Sequence, residues 1–161
     1  MIGVSQILPL LSPFKGKRDV IVHDQDVSDI ITGILATHER YKPEYDKIAV
    51  SFLGFTPMET YLNIWNFIKN NVRYRVEPER TQYLKSPAAI FTPGQTSDCK
   101  NMSLATGGIL DALRRNGMRI DWCYRFASYR LFDKVPGHVF VVVNPGTNNE
   151  IWIDAVLPTF N

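Results

Sequence analysis

Ser97-Asp98-Cys99-Lys100-Asn101-Met102-Ser103-Leu104 sets a cysteine at the start of a helix, and the rest of the chain reads outward from it. The segment before it, Phe91-Thr92-Pro93-Gly94-Gln95-Thr96-Ser97, carries the proline and glycine of a loop. Thr96 or Ser97 is the expected helix cap, with Asp98 in the first turn, where a carboxylate suits the positive end of the helix dipole. Leu104, Ala105, Ile109, Leu110, Ala112 and Leu113 then make an apolar run that stops at Asn116-Gly117. Position alone leaves Cys99 two readings. It is a buried free cysteine, or a thiol whose anion is favoured by open backbone N–H groups and the dipole.

Beyond this helix the pattern changes from helical to extended. Ile120 to Phe132 is rich in aromatic and β-branched residues, His138 to Val143 is a continuous apolar run, and Glu150 to Val156 is a third such stretch. Asp133-Lys134-Val135-Pro136-Gly137 and Asn144-Pro145-Gly146-Thr147-Asn148-Asn149 are the turns between them. Three strands on short loops form an antiparallel meander, its middle strand apolar on both faces. Helices first and strands afterwards predict an α+β domain, the sheet packed on the cysteine helix.

Upstream, residues 1–25 read as irregular or short extended pieces, with Val20-Ile21-Val22 a short strand. Lys15-Gly16-Lys17-Arg18 is a solvated basic cluster, and His23 beside Asp24 and Asp26 a surface turn. A first helix opens at Asp26 or Ser28, with Val27, Ile30, Ile31, Ile34 and Leu35 as its apolar stripe. His38 falls in its last turn, on a polar surface beside Glu39 and Arg40. Thr56-Pro57-Met58-Glu59 is a capping box that starts a second helix, with Tyr61, Leu62, Ile64, Trp65, Ile68 and Val72 facing the core. Val72 to Val76 alternates as a short strand or extended link. Glu77 to Ser97 then reads as a long irregular segment, unusual unless it carries function, and a candidate cleft wall beside Cys99.

His138 opens the middle strand and Asp154 lies in the last. A hairpin closing symmetrically about the Asn144–Asn149 turn puts Asp154 opposite Phe140 and leaves His138 its diagonal neighbour on the same face, roughly 7 Å away at Cα. A slip of one residue would turn them to opposite faces. Asp154 stands within Ile151-Trp152-Ile153-Asp154-Ala155-Val156, and a carboxylate in so apolar a strand needs a partner. A thiol on a helix start, an imidazole and a carboxylate on two adjacent strands make a nucleophile, a base and an orienting group.

These motifs together resemble the transglutaminase-like superfamily, which shares a papain-like cysteine-enzyme core. The matching pieces are Ser97-Asp98-Cys99 with Leu104 and Ala105 behind it, Leu110 to Met118, Gly137-His138-Val139-Phe140, and Ile151-Trp152-Ile153-Asp154-Ala155. The step of 39 residues from Cys99 to His138 and of 16 from His138 to Asp154 suits that family. The resemblance spans roughly Tyr61 to Val156 and implies Cys99 as nucleophile, His138 as general base and acid, and Asp154 as the orienting carboxylate. It also departs from the family: Ser97 stands where glycine is usual. Gln95 is a candidate for an oxyanion donor of the papain type, beside the backbone N–H of Cys99. Tyr124 to Arg130, Asp154-Ala155-Val156 and the terminal Phe160-Asn161 also resemble transglutaminase-like proteins of phages and prophages of Bacteroidetes, which implies a virion-associated or phage-encoded protein.

At 161 residues with 45% hydrophobic and 12% aromatic side chains, the chain reads as one domain, 1–161, with a sizeable core. The net charge of +2 argues against a nucleic-acid or anionic-membrane partner. Two cysteines give no disulfide framework, and Ile7-Leu8-Pro9-Leu10-Leu11 lacks the basic flank and length of a signal or a membrane span, so a cytoplasmic protein is expected. Cys123, alternating on a strand with Trp122 and Tyr124, reads as structural. The three histidines share no ligand spacing with the cysteines, so the expectation is chemistry without metal or cofactor, on a protein or peptide substrate. The expected activity is acyl transfer at amide bonds through a Cys99 thioester, by hydrolysis or transamidation. The rival is a non-catalytic structural or binding module, such as a phage structural component.

Overall fold

Asp98, rather than Thr96 or Ser97, caps the cysteine helix. Its side chain accepts from the Asn101 N–H at 3.3 Å, and Cys99 becomes the first helical residue. Thr96 and Ser97 are not available as caps because they form a short strand beside Arg73 and Tyr74. The computed structural model describes residues 2–16, 20–22, 27–78, 82–128 and 137–161, with backbone alone for 20–22 and 27. His23, Asp24, Asp26, Lys17, Arg18 and the turn at 133–136 lie outside these residues.

In chain order the elements are α1 (Val4–Ile7), β1 (Val20–Val22), α2 (Val27–Ile48), α3 (Pro57–Asn71), β2 (Arg73–Tyr74), β3 (Gln82–Tyr83), α4 (Pro87–Phe91), β4 (Thr96–Ser97), α5 (Cys99–Arg115), β5 (Trp122–Ala127), β6 (His138–Val143) and β7 (Ile151–Ile153). Short 3₁₀ turns follow α1 at Leu8–Leu10 and α2 at Ala49–Phe52. The mixture is α+β, with an antiparallel sheet in the order β5-β6-β7. Two expectations need correction here. The N-terminal segment holds a helical turn that buries Ile7 and Leu11, and Glu77 to Ser97 holds β3, α4 and β4. Ser86 caps α4 by accepting from the Ala89 N–H at 3.2 Å, with Pro87 at the first helical position.

α2 runs ten residues past His38, to Ile48, with Pro43 inside it. Its buried face is Ile34, His38, Tyr45 and Ile48, with Tyr41 partly buried, so the stripe continues at helical spacing through a polar residue. His38 is therefore in the interior, not on a polar surface, whereas Leu35, expected in the stripe, is exposed. α3 follows its signals. Thr56 accepts from the Glu59 N–H at 3.2 Å, and the Glu59 carboxylate accepts from Phe55 N–H at 2.8 Å, one residue earlier than a standard capping box. Leu62 is exposed, and Phe67 is buried in the core.

α5 is the central element: it packs on α2, α3, α4, β5 and β6. Close approach is possible because Gly107 and Gly108 leave room for aromatic rings. A Cβ on Gly107 would lie 2.5 Å from the Tyr124 hydroxyl, and one on Gly108 would lie 2.3 Å from the Tyr45 ring. The helix closes with a Schellman turn, in which Met118 N–H donates to Leu113 O and Gly117 N–H to Arg114 O, both at 3.1 Å, with Gly117 at φ +96°.

The register between β6 and β7 is the symmetric one: Val141 faces Ile153, Val142 faces Trp152 and Val143 faces Ile151. All six β6 residues are buried, as a central strand requires, and fully burying such apolar side chains stabilises by about 1.5–3 kcal/mol each. Val139, Val141 and Val143 lie on one face of β6, with Val141 and Val143 in the main core cluster, while His138, Phe140 and Val142 lie on the other.

Candidate active site

Three elements bring the candidate side chains together. Cys99 is the first residue of α5, and Ser103 lies one turn later on the same helix face. The Ser103 hydroxyl donates to Val139 O at 2.8 Å, which fixes the helix against β6 next to His138. The Cys99 side chain lies close enough to the His138 imidazole to favour its charged form. The imidazole Nε2 lies 2.6 Å from Asp154 Oδ2. Phe140 stacks against the ring with centroids 5.7 Å apart.

Asp154 follows directly after β7 and is held at every oxygen. Oδ2 faces His138, Oδ1 accepts from the Val156 N–H at 3.0 Å, and the carbonyl accepts from the Trp65 indole N–H at 2.9 Å. Trp65, read from sequence as core, is buried and also fixes the backbone of Asp154. Burial is the largest influence on His138 and disfavours its charge. The hydrogen bonds and negative charge of Asp154 and Cys99 overcome that, and the imidazole pKa is raised to about 9.

The start of α5 keeps two backbone donors unpaired among the described residues. Asp98 takes the Asn101 N–H with its side chain and the Met102 N–H with its carbonyl. That leaves the N–H groups of Cys99 and Lys100 without a partner among the described residues. Gln95 sits half-buried in the turn after α4, where its N–H donates to Thr92 O at 3.1 Å, and among the described residues its side chain forms no hydrogen bond with Cys99 or His138.

Sequence reading missed a buried charged network beneath the helix start. Lys100 and Lys85 are both buried, and both reach Glu77, at 2.8 and 3.2 Å. Lys100 also pairs with Asp98, and Lys85 donates to Thr96 O. Asn101 ties the same knot by accepting from the Lys85 N–H and donating to Tyr83 O, both at 2.9 Å. Burial pushes the Asp98 carboxyl above its usual range, against the pull of Lys100. The signal was available in part: Lys85, Glu77 and Lys100 lie on or beside a segment that had no other structural assignment.

Tyr74 was also missed. Its phenol is pushed up by burial first, and then by the charges of Cys99, Asp98 and Asp154, which places it at the edge of the same site. A second His–Asp pair lies behind α5. His38 Nε2 is 3.2 Å from Asp111 Oδ2, its Nδ1 is 2.9 Å from the Tyr124 hydroxyl, and Trp122 stacks on the ring at 5.8 Å. Burial lowers the His38 pKa more than Asp111 restores it. No cysteine joins this pair among the described residues, and it serves to lock α2, α5 and β5 together. Among the described residues no group of three or more His, Cys, Asp or Glu could hold a metal ion, and no helix is long and apolar enough to cross a membrane.

With this geometry in hand, comparison with family models, with curated proteins and with solved structures returns no match to the chain.

Proposed function

We propose that the chain is a transglutaminase-like cysteine enzyme with a papain-like core, which transfers acyl groups from amide bonds through a Cys99 thioester. The observation that carries this reading is the His138 imidazole bound to the Asp154 carboxylate at 2.6 Å, with the Cys99 side chain close enough to favour its charged form. In the proposed cycle the Cys99 thiolate attacks an amide carbonyl of a protein or peptide. The oxyanion accepts from the N–H groups of Cys99 and Lys100. The His138 imidazolium gives its proton to the leaving amine as the carbon–nitrogen bond breaks, which leaves a thioester and a neutral imidazole. His138 then takes a proton from water, or from an amine, as that group attacks the thioester and releases the thiolate. Asp154 holds the ring in one orientation and stabilises its charge throughout. No metal or cofactor is needed for any step.

The test is alkylation of Cys99 by iodoacetamide across pH, read by mass spectrometry at that residue, in wild type and in His138→Ala. Rapid labelling that persists into acid in wild type and disappears in the variant supports the reading. Equal, slow labelling in both, at the rate of an ordinary thiol, would replace it with a structural or binding module.

A further inference from the structure

Directly beside the candidate nucleophile runs a strand with one edge unpaired among the described residues. β2 pairs in parallel with β4, Arg73 level with Thr96 and Tyr74 level with Ser97, two residues before Cys99. Among the described residues β2 has no other neighbour. The Arg75 N–H donates to Ser97 O at 2.9 Å, so it points toward β4. Successive residues of a strand point their backbone groups to opposite sides. The N–H and C=O of Tyr74 therefore point away from β4, and they have no partner among the described residues.

The side chains of this edge are unusual for their neighbourhood. Arg73, Tyr74, Arg75 and Val76 are all exposed, Tyr74 at 41% and Val76 at 69%. Neither arginine is in an ion pair with any described residue. The acids that could neutralise them are already committed: Glu77 to Lys85 and Lys100, and Asp98 to Lys100. Among the described residues, two cations without ion-pair partners thus flank Tyr74 on an unpaired strand edge one strand over from the segment that leads to Cys99.

We infer that the Arg73–Val76 edge binds the flank of an extended peptide substrate bearing acidic side chains. Backbone pairing with Tyr74 would align the peptide, and Arg73 and Arg75 would face its carboxylates. That this peptide is the substrate rests on the reading of Cys99 as nucleophile; that the edge binds acidic peptides does not. An exposed strand edge carrying two free arginines is otherwise a liability for pairing with other chains, and charge is one of the ways such edges are kept selective.

The experiment is fluorescence anisotropy of two labelled peptides, one of glutamate and alanine and one of lysine and alanine, on the Cys99→Ala protein. The acidic peptide should bind about tenfold tighter, and the preference should fall as salt is raised. Arg73→Glu with Arg75→Glu should invert the preference, an outcome that a misfolded protein cannot produce. Arg73→Gln with Arg75→Gln should abolish it. Equal binding of the two peptides by the unaltered edge, or a preference that survives in the glutamine variant, would overturn the proposal. The catalytic reading fails by a separate route, through Cys99 labelling that ignores His138, and that result leaves the peptide comparison standing.

Discussion

His138 has two neighbours that favour its charged form and a burial that opposes it, and the balance fixes how the protein should respond to pH. Its pKa is raised from 6.5 to about 9, so the imidazolium persists through neutral pH. A group with a raised pKa contributes stability that is full below about pH 6.5, declines above it and is gone above about pH 9. Thermal melts should therefore show a loss of stability between these limits in wild type, and a smaller loss in His138→Gln. Turnover of a peptide amide should fall above about pH 9, as the acid that protonates the leaving amine disappears. Asp154→Asn keeps the size of the side chain but presents an amide to the ring. Turnover should drop by about 10³–10⁴-fold, and the melting temperature at neutral pH should fall as well, because the buried imidazolium loses the carboxylate charge that favours it. Unchanged turnover would remove Asp154 from the mechanism. Cys123→Ala should leave turnover as it is, since Cys123 lies on β5 and makes no contact with His138 or Asp154 among the described interactions.

At the scale of elements, α5 is held by what its small residues admit and by what its first residue caps. Alanine is a better helix former than glycine by about 1 kcal/mol. Gly108→Ala should nonetheless destabilise by about 1–3 kcal/mol in urea unfolding, because the new methyl meets the fully buried Tyr45 ring. Asp98→Ala should cost more than the roughly 1 kcal/mol of a lost cap, since the buried Lys100 would lose one of its two acidic partners. The elements themselves were unevenly legible. α3 and α5 announced their ends with Thr56-Pro57 and with Asn116-Gly117. The second half of α2 was hidden, because His38 interrupts the apolar stripe and Pro43 normally argues against a helix interior. Its true face becomes visible only when Asp111 and Tyr124 are seen to satisfy the imidazole. The cap of α5 was misplaced by one or two residues, because the pairing of Thr96 and Ser97 with a strand more than twenty residues earlier cannot be read locally. Likewise nothing in the periodicity marks Lys85 and Lys100 as buried. Lysine is rarely buried unless paired, and their partners come from distant positions.

Across the molecule, the site is assembled from parts that are far apart in the chain. α3 reaches over to Asp154 through Trp65, to Val156 O through the Lys69 ammonium at 3.2 Å, and to Phe160 through an edge-on ring contact at 6.0 Å. Trp65→Phe retains the packing and removes one hydrogen bond. It should destabilise by about 1 kcal/mol in chemical unfolding, and should lower turnover further than the stability change alone accounts for, since the carbonyl it frees belongs to Asp154. The meander and its register were open to sequence reading because the turn Asn144–Asn149 is short and polar and the flanking strands are apolar. The contribution of α3 to the site was not, because an indole N–H gives no sign of which carbonyl it will find. The separation of the three reactive groups has a consequence for the newly made chain. Cys99 precedes His138 and Asp154 in the chain, and on the proposed reading its base reaches it only after β6 and β7 have paired in the correct alignment. On the proposed mechanism, the thiol has no imidazole to take its proton until then, which keeps it from attacking the chains around it.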